Sequence, residues 1–106
     1  MSDLIVPVSE VPAGEARRFA VGAREVAVVN LGEAGFRAVD AVCSHAHAYL
    51  DEGTVDAIEG TIECPKHGSA FDLASGRPLT LPATAPVQVF PVTVRDDAIH
   101  IEVSDD

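Results

Sequence analysis

The chain has 106 residues, the size of one ordinary domain, and its seventeen acidic residues against seven basic ones give a formal net charge of −10. That charge repels the phosphate backbone that dominates nucleic-acid affinity, which argues against DNA and RNA as partners and favours a protein with a basic docking surface. Four Phe, one Tyr and no Trp leave alanine and valine to build the interior, so a thin core is expected. At the amino terminus Asp3 stands where a signal peptide would carry lysine or arginine. No apolar run reaches the ~18 residues of a membrane helix either, which predicts a soluble, cytoplasmic protein. Short alternating or β-branched runs broken by Gly, Pro and Asp predict an all-β chain of about ten short antiparallel strands. The first strands are expected near Leu4 to Val8, Ala16 to Val21, Glu25 to Leu31 and Phe36 to Ala41, with a turn through Gly32 to Gly35. From Cys43 to Gly53 the chain turns polar and histidine-rich. Thr61 to Cys64 resumes as a strand, and Pro65 to Gly68 reads as a tight turn. Ser75 to Pro86 reads as a loop stiffened by its prolines, and Val87 to Val94 and Ala98 to Val103 form a closing hairpin around Asp96-Asp97. In that hairpin Ile99, Ile101 and Val103 share one face, with His100 and Glu102 on the other.

The chemistry concentrates in the middle. Only two cysteines are present, and each is closely followed by a histidine: Cys43-Ser44-His45, then eighteen residues, then Cys64-Pro65-Lys66-His67. A disulfide would use both thiols and leave the paired histidines unexplained, so metal ligation is the more economical reading. Two cysteines and two histidines also suit one tetrahedral zinc. Familiar zinc fingers, however, pair like with like ahead of a helix, whereas each local unit here mixes the two types among strands.

The pattern C-x-H followed by C-x-x-H resembles the Rieske proteins. The surrounding words CSHAHAYLDEG and CPKHGSAFDLASGRPL are similar to those of the soluble Rieske ferredoxins of aromatic-ring dioxygenase systems. The likeness extends from EVPAGEARRF to VQVFPVTVRDDAIHI, nearly the whole chain. It implies a single domain over residues 1–106, folded as a small antiparallel β sandwich, with a cluster-binding subdomain over about residues 42–86 made by two ligand loops. It implies one Rieske-type 2Fe-2S cluster, with Cys43 and Cys64 on one iron and His45 and His67 on the other. Exchanging two anionic thiolates for two neutral imidazoles favours reduction, and the family's potentials lie between about −150 and +300 mV. With both irons fully ligated no position is open to substrate, so no catalytic residue is assigned. The implied task is one-electron transfer from a flavin-containing, NAD(P)H-dependent reductase to a terminal oxygenase that hydroxylates the ring. The nearer alternative is a Rieske-type small subunit of an NAD(P)H nitrite reductase or other oxidoreductase, and the more distant is a zinc-stabilised interaction module.

The resemblance also sorts the neighbours of the ligands. Ser69 matches a serine that donates a hydrogen bond to the cluster in high-potential members, while Phe71 stands where those members use tyrosine. Lacking a third cysteine, the chain lacks the loop-bridging disulfide of respiratory members and falls in the ferredoxin branch. Pro82 and Pro86 are expected in a loop that covers the cluster. Lys66 is read equally as a solvated charge or a docking contact, and His47 and His100 as surface residues. Tyr49 and Leu50 are expected to pack under the first loop, and Asp51 and Glu52 to be solvated charges on an acidic rim.

Overall fold

A computed structural model of the chain describes residues 2–43, 48–66, 68–80 and 85–103. Among them ten strands form three antiparallel sheets. The longest strand run is Arg24–Asn30 (β3), which pairs with Ala16–Val21 (β2) on one side and Phe36–Asp40 (β4) on the other. Val89–Phe90 (β8) extends this sheet beyond β4. A second sheet has Ala98–Val103 (β10) in the middle, flanked by Ser2–Pro7 (β1) and Val92–Arg95 (β9). The third sheet is short: Thr54–Asp56 (β5), Thr61–Glu63 (β6) and Ala70–Asp72 (β7).

Why three layers form is visible in β3. Val26, Ala27, Val28 and Val29 are all fully buried, which a strand achieves only when both its faces are covered. Because side chains alternate, Val26 and Val28 join Val6, Phe90, Ile99, Ile101 and Val103 beneath the second sheet. Ala27 and Val29 point the other way, into a cluster with Leu50, Ile62, Phe71, Leu73 and both cysteines. The central sheet is therefore shared by two cores, one against each neighbouring sheet.

The expected closing hairpin forms. Asp96 and Asp97 both take positive φ, 53° and 61°, the conformation of a two-residue turn whose twist matches its strands, and Ile99, Ile101 and Val103 lie buried beyond it. One expected strand divides. Pro91 separates Val89–Phe90, bonded in the central sheet, from Val92–Arg95, bonded to β10. Proline has no N–H to give a ladder, and the chain changes sheets there. Two strands not expected from sequence, β5 and β7, complete the small sheet, where Val55, Ile62 and Phe71 stand in one cross-strand row facing the core.

Candidate metal centre

Both cysteines sit where a strand gives way to a turn. After β4, Ala41 N–H bonds to Glu25 O at 3.0 Å, and Leu50 N–H returns to Ala41 O at 2.7 Å. Between them Val42 and Tyr49 form an antiparallel bridge, and Cys43 N–H donates to Ala48 O at 2.9 Å. After β6, Cys64 N–H donates to Ser69 O at 2.7 Å and Gly68 N–H donates to Cys64 O at 3.0 Å. Each cysteine thus opens a loop closed by a hydrogen bond to the residue five positions on. By sequence His45 falls inside the first closure and His67 inside the second. Gly68, at φ 71°, lets the second loop turn this tightly.

The flanks of the two loops lie against one another. Gly53 has ordinary extended backbone, so its lack of a side chain is explained by space alone. A Cβ there would fall inside the van der Waals shell of the Glu63 carbonyl oxygen and 3.2 Å from Pro65 Cδ, at the threshold of the second loop. The turn Leu50–Glu52 that leaves the first loop is thereby seated on the strand that delivers Cys64.

Cys43 is 4% exposed and Cys64 fully buried, both in the cluster with Leu50, Ile62, Phe71 and Leu73, and no disulfide joins them. A buried thiol alone is an ordinary core residue. Two buried thiols, each heading a closed loop with a histidine in its sequence, are donors of the kind that a site of two thiolates and two imidazoles asks for. The described donors therefore fit a Rieske cluster. His45, His47, His67 and Pro82 lie outside the described residues. Among the described residues no group of three or more His, Cys, Asp or Glu gathers.

The remaining expected residues separate clearly. Ser69 is buried, the only polar residue fully so among the described residues. Phe71 is fully buried in the small sheet's apolar row, with Pro78 bridged to it from the returning segment. Pro86 and Lys66 are exposed. His100 is half-buried on the outer face of β10, with Nδ1 3.5 Å from Arg95 Nη2. Leu50 packs in the core as expected.

Asp51 corrects the expectation of a solvated charge: its side chain is only 11% exposed, with Oδ1 3.9 Å from Arg18 Nη1. The short helical turn rolls Asp51 back over β2 while Glu52, 59% exposed, stays outside. Burial pushes the Asp51 carboxyl above its usual range, against the opposing pull of Arg18. Arg18 was not singled out by the sequence. Its guanidinium carbon sits 3.6 Å from the centre of the Tyr49 ring, and its Nε is 3.6 Å from Glu25 Oε2. The Tyr49 hydroxyl donates to Glu25 Oε1 at 3.1 Å, and that bond, together with the Glu25 charge, raises the phenol's pKa. No spacing rule marks this group, because Arg18 and Tyr49 lie on different elements far apart in the chain.

Comparison with known proteins shows the family. The model of the Rieske [2Fe-2S] domain matches residues 3–91. A 3-phenylpropionate/cinnamic acid dioxygenase ferredoxin subunit from Photorhabdus laumondii is 40% identical over 107 residues, covering 100% of this chain and 99% of its own. The ferredoxin of carbazole 1,9a-dioxygenase from Nocardioides aromaticivorans IC177 superposes with a TM-score of 0.88 at 34% identity, over 95% of this chain and 97% of that one. A chain in the complex of reduced oxygenase and oxidized ferredoxin in carbazole 1,9a-dioxygenase gives 0.84 at 38% identity, over 93% and 91%.

Proposed function

The chain belongs to the Rieske [2Fe-2S] domain family, and from that membership we propose that Cys43, His45, Cys64 and His67 hold one 2Fe-2S cluster, cysteines on one iron and histidines on the other. When bound, such a group supplies reversible uptake of a single electron. The chain's own part is to hold the donors and keep water from them. The closures Cys43 to Ala48 and Cys64 to Ser69 fix the backbone at each thiol, and Leu50, Ile62, Phe71 and Leu73 pack around the sulfur side. With all donors spent on the irons there is no vacancy for substrate, so the protein acts as an electron carrier and not as a catalyst.

We read the carrier as a soluble ferredoxin of a multicomponent dioxygenase system. It takes electrons from a flavin-containing, NAD(P)H-dependent reductase and delivers them to a terminal oxygenase. The relatives described above favour this over a small subunit held permanently by a nitrite reductase, since they are ferredoxins and one matching structure is a complex with an oxygenase. The net charge of −10 suits a partner with a basic rim, approached faster at low salt. No helix among the described residues is long and apolar enough to cross a membrane, and we place the protein in the cytoplasm. One domain spans residues 1–106, with the cluster-binding subdomain at about residues 42–86; the small sheet β5–β7 falls wholly inside it.

The observation that carries the reading is the pair of buried cysteines, each opening a loop closed at the same offset around a histidine. Metal and sulfide analysis of the anaerobically reconstituted protein tests it. Equal amounts of iron and acid-labile sulfide, with reduction by a flavin reductase and NAD(P)H, are expected. One zinc per chain without sulfide would replace the reading with the zinc module.

A further inference from the structure

Arg18 occupies an unusual position for the most basic of side chains. It rises from β2 over the Tyr49 ring, with Glu25 of β3 and Asp51 and Glu52 of the Leu50–Glu52 turn all within 4 Å of its guanidinium. Its Nη1 and the Asp51 Oδ1 are buried and have no hydrogen-bond partner. The 3.9 Å between them is too long for a hydrogen bond. Directed bonds to those carboxylates therefore do not set the guanidinium's orientation; its planar stack on the ring and its charge among three acids do. Tyr49 in turn is fastened at both ends, its hydroxyl to Glu25 and its backbone bridged to Val42, the residue before Cys43.

Resting on the Rieske reading above, we propose that Arg18 is a positioning residue for the cluster: by stacking on Tyr49 it fixes the base of the loop that carries Cys43 and His45 against β2 and β3. The chain of contact is short. Arg18 holds the Tyr49 ring, Tyr49 pairs with Val42, and Cys43 closes on Ala48 one step further along the same two-stranded neck. Removing the stack frees the neck to tilt while leaving Leu50 in the core. The backbone at Cys43 then shifts before the fold loses stability.

The test uses the full chain carrying its reconstituted cluster, with three readouts: iron release to a chelator, visible circular dichroism of the cluster, and the thermal midpoint. Arg18→Lys keeps a positive charge among Glu25, Asp51 and Glu52 but not the flat stack. It is expected to release iron roughly tenfold faster and to change the visible dichroism, with the midpoint near that of the parent. Tyr49→Phe keeps the stacked ring and loses only the Glu25 bond, so its iron release should lie nearer the parent's than that of Arg18→Lys. Tyr49→Leu removes the stack from the other side and should match Arg18→Lys, and the double variant should be no worse than either single one.

Unchanged release and dichroism in Arg18→Lys would overturn the proposal. So would effects of the two single variants that simply add in the double one, or release that rises only in step with a falling midpoint. A parent that takes up no cluster would overturn the Rieske reading itself; a parent that does, beside unaffected variants, overturns the inference alone.

Discussion

The two faces of the central sheet are built on different terms. Against the β1–β10–β9 sheet, the core is a row of aliphatic side chains from long strands in regular register, Val6, Val26, Val28, Ile99, Ile101 and Val103. Against the small sheet, strands of three residues contribute little, Ile62 and Phe71 buried and Val55 partly so, and turns and cysteines fill the rest. The first face is held by hydrophobic area, which tolerates small shifts. The second is held by close backbone approaches and loop closures, which do not. A protein that must keep two loops at a fixed spacing gains from a rigid sheet behind them, and β3 supplies it by being buried on both sides.

Ile101→Ala should show this contrast most strongly. Truncating a fully buried isoleucine in the regular core costs about 2 to 5 kcal/mol, read as a lower denaturant midpoint. The visible spectrum and reduction potential of molecules still folded should stay as in the parent. A changed potential would mean that the two faces are not separable. Gly53→Ala attacks the other face. The added methyl meets the Glu63 carbonyl, and the strain expected of an overpacked site is about 1 to 3 kcal/mol. Here cluster retention should fall further than chemical denaturation of the sandwich suggests, and equal losses in both would contradict the division.

Two smaller effects refine the picture at the site. If the Ser69 hydroxyl donates to the cluster, Ser69→Ala should lower the midpoint potential by tens of millivolts, since about 1.4 kcal/mol of difference between redox states equals roughly 60 mV. A voltammetric midpoint unchanged by the substitution shows that Ser69, although buried, points elsewhere. The smallest effect concerns Asp51, whose carboxyl is raised by burial. Between the ordinary aspartate pKa of about 3.9 and the raised folded value, the folded state holds a proton that the unfolded chain has lost. Stability therefore falls as pH rises through that window. Asp51→Asn should remove this slope, so that the difference between the thermal midpoints of parent and variant depends on pH only there. A pH-independent difference would place the Asp51 charge in solvent after all.

Much of the regular face is legible in the residues. Ile99, Ile101 and Val103 alternate with polar neighbours across a turn of two aspartates, residues that tolerate positive φ, and the hairpin follows. Pro91 already carries the reason for the strand break, a missing N–H, yet the apolar run around it hides the change of sheet. The small sheet is harder to see, because alternation over three residues carries almost no signal, and β5 and β7 are recognised only by pairing with β6. At the site, Cys43 and Cys64 are legible because few chemistries ask for a thiol beside an imidazole twice over. Arg18 and Asp51 are not. As sequence they are one arginine and one aspartate in a charged chain, and only the fold brings them within 3.9 Å of each other beside Tyr49.

On the proposed ligand set the two irons would be held unequally, thiolates on one and imidazoles on the other. Low-temperature electron paramagnetic resonance of the dithionite-reduced protein tests this most directly. A rhombic signal with an average g value below that of all-thiolate 2Fe-2S proteins is the predicted result. An average g typical of four thiolates, or no signal from a protein that binds zinc instead, would contradict it.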